Sequence, residues 1–354
     1  MLVGVNYPVP WNVYGIYLGS GNPPGSCPGM GVWPRNLAEN LTILRDELGV
    51  QVVRIFLLGN AANYGTVVDG RTMLPEALDP GVTRQLRAMF EAFEAAKLQV
   101  IPSLIDFKAF GERRVLGQGP VARSNGCTDR HDIVIDPVTR QRFFDQVLRT
   151  FLEVSKPFRS AIYAWEVQNE PIWNVRELSL TSLITDLERS AVGSTTIRRS
   201  EMQSFLQQAV DIIEHYDVEP RFQATVGHRF ARDLERFPTG RLRQFHYYPL
   251  RVLGLGLVDR TLPDATITRA FLGEVAAGTH GAPWPELAGA DAAHAGARVR
   301  VRERLRLARY KGYPLTLLWP DADGHTSFPG PDPLKFSQAA QDGIKDFQKL
   351  SRLS

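Results

Sequence analysis

The stretch Trp165-Glu166-Val167-Gln168-Asn169-Glu170-Pro171 holds the residues best suited to chemistry. It reads as an apolar strand ending in an amide and a carboxylic acid, a group able to give or take a proton. Pro171 ends the ladder because proline has no backbone N–H to donate. Pleating sends successive side chains to opposite faces, so Asn169 and Glu170 can serve one site only if the backbone leaves its regular form there. Arg54 lies inside another apolar run, VVRIFLL, where a buried cation is costly unless it faces a carboxylate. Glu166, in mid-strand, reads as a structural acid held by an arginine or a backbone donor, and pairing with Arg54 is one reading of both. His131, His228 and His325 read as loop residues, candidates for contact with a ligand.

Other chemistries find little support. Asp321-x-Asp323-x-His325 puts three potential ligands in one short loop, which fits no barrel metal pattern, so no metal is expected. No HxH follows the first strand, and there is no GxSxG elbow or GxGxxG fingerprint. Cys27 and Cys127 are the only cysteines and stand far apart in sequence, so no CxxC pair exists, and they read as two unrelated buried thiols rather than a bridge.

The elements that must position these residues alternate along the chain. Short β-branched runs are followed by longer helical patterns, the signature of a parallel sheet wrapped by helices. Strands are predicted near Leu2–Asn6, Val52–Leu57, Gln99–Leu104, Ala161–Gln168, Phe222–Val226, Leu242–His246, Ala270–Gly273 and Leu315–Trp319. Helices are predicted near Asn36–Leu48, Val82–Lys97, Pro137–Val154, Ser200–Tyr216 and Ala297–Lys311, with a last one from about Pro333 to Leu350. Eight strands close a (β/α)₈ TIM barrel, here read as one α/β domain over residues 1–354. Three βα connections, Pro8–Arg35, Asp106–Asp136 and Ile172–Arg199, run to roughly 25–30 residues against a median near 5. All three would leave the C-terminal mouth, where barrel sites are built, and are read as walls of a groove.

Composition limits the partners. The 354 residues are 44% hydrophobic and 22% charged, which excludes a disordered chain or a disulfide scaffold. Forty-one basic against 38 acidic side chains leave a net charge of +3, too little for a nucleic-acid surface. No run of 18 apolar residues occurs, so no membrane span is expected. The first ten residues, MLVGVNYPVP, lack the charged start and apolar core of a secretory signal. That fits a cytoplasmic protein or one whose leader has been removed. A monomer is expected.

WEVQNEP resembles the acid/base motif of the large clan of retaining β-glycosidases built on (β/α)₈ barrels. Within that clan it is most similar to the family of cellulases and β-mannanases, glycoside hydrolase family 5. The resemblance implies Glu170 as acid/base and a nucleophilic carboxylate at the end of the seventh strand. There Phe271-Leu272-Gly273-Glu274 ends in an acid, 274 − 170 = 104 residues later. Retaining chemistry needs its two carboxyl groups only about 5–5.5 Å apart. The resemblance further places Arg54 beside Glu274 to hold it ionised, Tyr248 in a hydrogen bond to Glu274, and His246 on the sugar or the acid/base network. It puts Trp319 under the reacting sugar and Asn169 on the sugar 2-OH. The histidine usual at the third strand's end is missing, and Asp106 or Lys108 is expected in its place. The implied activity is double-displacement hydrolysis of a β-mannan or β-glucan type carbohydrate without cofactor, with Glu170 kept protonated in the free enzyme by the nearby charge of Glu274. A barrel that binds carbohydrate without cleaving it, and a transglycosylase using the same two glutamates, are the alternative readings.

Overall fold

The computed structural model describes residues 1–7, 37–58, 80–107, 110, 131–176, 197–247, 262–276, 290–319, 336 and 338–353. Eight parallel strands close into a barrel: β1 (Leu2–Tyr7), β2 (Val52–Leu58), β3 (Gln99–Ile105), β4 (Trp165–Asn169), β5 (Ala224–His228), β6 (Arg243–Tyr247), β7 (Ala270–Ala276) and β8 (Leu315–Trp319). Each pairs with its neighbours in chain order, and β8 returns to β1 through Leu2↔Leu315 and Val5↔Leu318. All eight predicted strands are present.

The fourth strand starts later than its apolar run suggests. Lys156–Ala161 winds into a 3₁₀ turn, and Ile162 contributes only an isolated bridge to Val100. The seventh runs on past Gly273 to Ala276.

Helices α1 (Leu37–Asp46), α2 (Pro80–Ala96), α3 (Pro137–Arg142, a π-helical stretch Phe143–Leu148, then Arg149–Ser155), α4 (Arg199–Glu214), α5 (Ala290–Tyr310) and α6 (Gln338–Leu353) cover the outside. The apolar stripe of α4 shows why. Met202, Phe205, Leu206, Ala209, Val210 and Ile213 recur three or four residues apart and are all buried. Outward-facing Trp165 packs edge-on to Phe90 of α2, ring centroids 6.0 Å apart. Among the described residues no helix is long and apolar enough to cross a membrane. The expected walls Pro8–Arg35 and most of Asp106–Asp136 and Ile172–Arg199 lie outside the described residues, as do Cys27 and Cys127. Two short parallel strands, Val175–Arg176 and Ile197–Arg198, pair at the base of the third connection.

The barrel interior is layered. Val52, Ile101, Phe271, Leu315 and Leu317 form a separate apolar plug. Two residues further along their strands come Arg54, Ser103 and Gly273, where the plug gives way to polar groups. In β5 the inward residue at this level is Gly227. A Cβ there would lie 3.0 Å from Glu166 Oε1 and 3.2 Å from Arg54 Nη2, so glycine leaves room for a buried ion pair.

His228, read from the sequence as a loop residue able to touch a ligand, is instead the last residue of β5. It is buried, and its ring stacks on Phe237 at 6.1 Å. Burial first, then the charge of neighbouring His246, pushes its imidazole down to about 3. The unfolded chain therefore binds a proton below about pH 6.5 that the folded chain refuses. Stability is expected to fall as pH drops from about 6.5 toward 3, by up to about 1.4 kcal/mol per pH unit from this group. Urea unfolding across that range should show a shallower slope in His228→Leu than in the parent protein.

Candidate active site

The mouth of the barrel is organised from Arg54 upward. All five N–H donors of its guanidinium are engaged. Nε and Nη2 grip Glu166 at 2.6 and 2.5 Å, while Nη1 reaches Glu274 Oε1 at 2.6 Å and Asn6 Oδ1 at 2.8 Å. Nη2 also donates to Asn169 Oδ1 at 2.8 Å. Arg54 is fully buried. Burial opposes its charge, yet Glu166 and Glu274 outweigh burial and hold the guanidinium above its ordinary range. The two sequence readings of Arg54, partner of Glu166 or partner of Glu274, are therefore both met. Glu166 is the structural acid expected, closed off by Ser103 Oγ at 2.8 Å and by the amide of Gln244.

Two departures from regular strand geometry aim the carboxylates. At the end of β4 the register to β5 shifts between Glu166 and Asn169, and Glu170 adopts left-handed backbone angles, φ 47 and ψ 55. A non-glycine residue in that region carries strain, and such strain gathers at functional sites. Here it lets the neighbours Asn169 and Glu170 share one site. Pro171 then opens a 3₁₀ turn, Pro171–Asn174, that brings Trp173 back so that its indole N–H donates to Glu170 Oε2. In β7 the pairing with β6 steps from Phe245↔Leu272 to His246↔Glu274, so Gly273 is bulged out. A Cβ on Gly273 would lie 2.5 Å from Gln244 Oε1, and its carbonyl accepts from Asn6 Nδ2 at 3.0 Å.

Glu170 and Glu274 meet across His246. A carboxylate oxygen of each and a ring nitrogen of His246 all lie within 4.8 Å of one another. His246 Nδ1 is 2.6 Å from Glu170 Oε1 and 3.4 Å from Glu274 Oε2. Such a trio has donor atoms for a cation, but Arg54 already answers Glu274 and Arg229 Nη1 stands 3.8 Å from Glu170 Oε1. Its charge balance suits proton transfer better than a metal.

Glu170 differs from its sequence expectation in one respect. Burial raises its carboxyl, but Arg229, His246 and Trp173 together outweigh burial and bring it down to about 2. The charges facing Glu170 thus favour its carboxylate form, opposite in direction to the protonated acid expected. Arg54 divides its single charge between Glu166 and Glu274, while Arg229 and His246 face Glu170 directly and favour its carboxylate.

The other expected residues fall as follows. Asn169 donates through Nδ2 to Asp106 Oδ2 at 2.8 Å, while its Oδ1 accepts from Arg54. A carboxylate on one side and a guanidinium on the other fix which way the amide points, and its second N–H has no partner among the described residues. Asp106 is buried at the end of β3, where it braces Asn169. Trp319 ends β8 with its ring edge-on to Phe56 at 6.1 Å, and Phe56 in turn lies under Arg54, 4.6 Å from the guanidinium carbon. His131 lies beside the short helix Asp132–Ile135, on the connection after β3. Tyr248, Lys108, Asp321, Asp323 and His325 lie outside the described residues. Asn6, Trp173 and Arg229 escaped sequence reasoning. Trp173 had a signal, three residues past Glu170 in a turn that Pro171 initiates. Arg229 had a weaker one, two residues past inward-facing Gly227.

Searches of solved structures match this whole architecture. A β-mannanase from the blue mussel Mytilus edulis superposes with a TM-score of 0.64 at 16% identity, covering 98% of this chain and 91% of its own. A β-1,4-mannanase from the sea hare Aplysia kurodai gives 0.65 at 15% identity, covering 98% and 92%. The chain shares its (β/α)₈ fold with β-mannanases. An exo-β-1,4-mannosidase from an Opitutaceae bacterium gives 0.56 at 17% identity, covering 100% of this chain and 59% of its own. Comparison with protein families and with curated sequences finds no match.

Replacing Arg54 by Leu would leave Glu166 buried without its cation. Breaking a buried pair from one side costs about 3–5 kcal/mol. Arg54→Leu is expected to lose that much in denaturant unfolding, and more than Glu166→Gln, which keeps hydrogen-bonding capacity at the same place.

Proposed function

We propose that the chain is a retaining β-glycoside hydrolase acting on a β-mannan or related β-linked carbohydrate. The reading is carried by the oxygens of Glu170 and Glu274 approaching within 4.8 Å. Retaining enzymes hold their two carboxyl groups about 5–5.5 Å apart, whereas inverting enzymes need about 6.5–9.5 Å to admit a water. The mannan preference rests on the folds of the solved neighbours.

Glu274, in a 2.6 Å ion pair with Arg54, attacks the anomeric carbon. Glu170 gives a proton to the departing glycosidic oxygen, and a glycosyl ester forms on Glu274. Glu170 Oε1 lies 2.6 Å from His246 Nδ1, so its proton transfers are coupled to that ring. Water then attacks the anomeric carbon, the C1–O bond to Glu274 breaks, and a proton of that water passes to Glu170. Asn169, oriented by Asp106 and Arg54, turns its remaining N–H to the sugar 2-OH, a contact that strengthens as positive charge develops on the ring. Trp319, at the end of β8, offers an indole face to the sugar. The site needs no cofactor for this chemistry.

Azide distinguishes the two glutamates. Glu274→Ala with an activated aryl β-glycoside should regain turnover and release the α-glycosyl azide, while Glu170→Ala should release the β-glycosyl azide. Glu170→Gln should lower turnover of an unactivated oligosaccharide by roughly 10²–10⁴-fold, with the melting temperature preserved. Undiminished turnover in both Glu170→Gln and Glu274→Gln, across β-mannan and aryl β-mannosides and β-glucosides, would refute the assignment.

A further inference from the structure

The chain leaving β5 carries a charged side chain to which the reaction above gives no part. Arg229 is largely buried, 17% exposed, with Nη1 3.8 Å from Glu170 Oε1. Its guanidinium carbon lies 5.4 Å from the ring centre of Phe230 and 6.0 Å from that of Trp173. Trp173 is the indole that donates to Glu170 Oε2, so one residue braces both the cation and the carboxylate.

We propose that Arg229 is a positioning residue that stabilises the carboxylate of Glu170, making it a stronger proton donor in the first half-reaction and holding it ready as a base in the second. The inference rests on the hydrolase reading and extends it. In the first half-reaction the C1–O bond to the leaving group breaks, and Glu170 loses its proton to that oxygen. The new carboxylate forms beside a cation already in place, so no solvent need reorganise around it. In the second, water forms its bond to C1, the C1–O bond to Glu274 breaks, and a proton of that water passes to Glu170. This step requires Glu170 to be ionised before water arrives.

Among the described residues, four groups face Glu170. They are Arg229 after β5, His246 from β6 at 2.6 Å, Trp173 from the turn after Pro171, and Glu274 from β7 on the far side of His246. Burial works against ionisation, with Arg229 first and His246 next working for it. Removing the Arg229 charge leaves burial opposed, among the described residues, by His246 and Trp173, so the titration midpoint of Glu170 must rise. An opposite charge at this range shifts a carboxyl by about 1–3 pH units.

Two readouts test this in the full chain. Carboxyl ¹³C NMR of glutamate-labelled protein, with the Glu170 resonance identified by its loss in Glu170→Gln, follows the titration without turnover. The acidic limb of kcat on a dinitrophenyl β-glycoside, whose leaving group needs no acid, follows Glu170 as base in the glycosyl-enzyme. Arg229→Gln and Arg229→Met should raise both midpoints by about one pH unit or more, while Arg229→Lys should keep them near the parent value. An unmoved Glu170 resonance in whichever neutral variant folds would overturn the proposal, as would a moved resonance with an unmoved kcat limb. Should the parent protein hydrolyse no β-glycoside, the hydrolase reading falls, while the NMR titration still decides whether Arg229 governs Glu170.

Discussion

A single guanidinium buried in the barrel determines how the mouth can be arranged. Arg54 offers five donors in a rigid plane and sits where water cannot reach them. Each must be met by the protein, and each is. Asn6 comes from β1, Glu166 and Asn169 from β4, and Glu274 from β7, with Ser103 of β3 and Gln244 of β6 closing the remaining sides of Glu166. Six of the eight strands are tied to one group in this way. Such an assembly is no more stabilising than a well-packed apolar core of equal volume. Its consequence is orientation, since planar, bidentate geometry tolerates few alternative rotamers.

That orientation makes the two mouth carboxylates unlike each other. Glu274 is coupled to a cation inside the barrel through a direct 2.6 Å contact. Glu170 is coupled to an imidazole at hydrogen-bond distance and to a second cation, Arg229, 3.8 Å away toward the rim. One acid is anchored to a fixed charge, and the other to a partner able to exchange a proton. Paired titratable groups given different surroundings take different roles. In this barrel the difference comes from which strand supplies each partner.

The backbone is irregular where this chemistry is gathered. Glu170 is left-handed, β7 bulges at Gly273, and β4 slips its register against β5 before Asn169. Regular pleating would have turned Asn169 from Glu170. Local rules are commonly broken at functional sites, with the surrounding structure bearing the strain. Pro171 and the bond from Glu170 N–H to the Gly227 carbonyl, at 2.7 Å, hold the left-handed turn in place.

Much of this was legible before any coordinates. The short β-branched runs located all eight strands, because parallel barrel strands are buried on both faces and read as nearly continuous apolar segments. WEVQNEP and FLGE each mark a strand ending in an acid, and the proline and glycine beside those acids are local signals of a broken ladder. Arg54 could be recognised as needing a carboxylate, since an unpaired buried cation is prohibitive wherever it falls. What tertiary structure alone decided was which groups meet. Arg54 serves Glu166 and Glu274 together because β4 and β7 converge on it from 112 and 220 residues away. His228 turned outward to Phe237, while Arg229, next in sequence, came to face Glu170. The charge of Glu170 followed from those encounters, because a carboxyl's proton affinity depends on the distance to charges supplied by other strands, and separation along the chain carries no record of that distance.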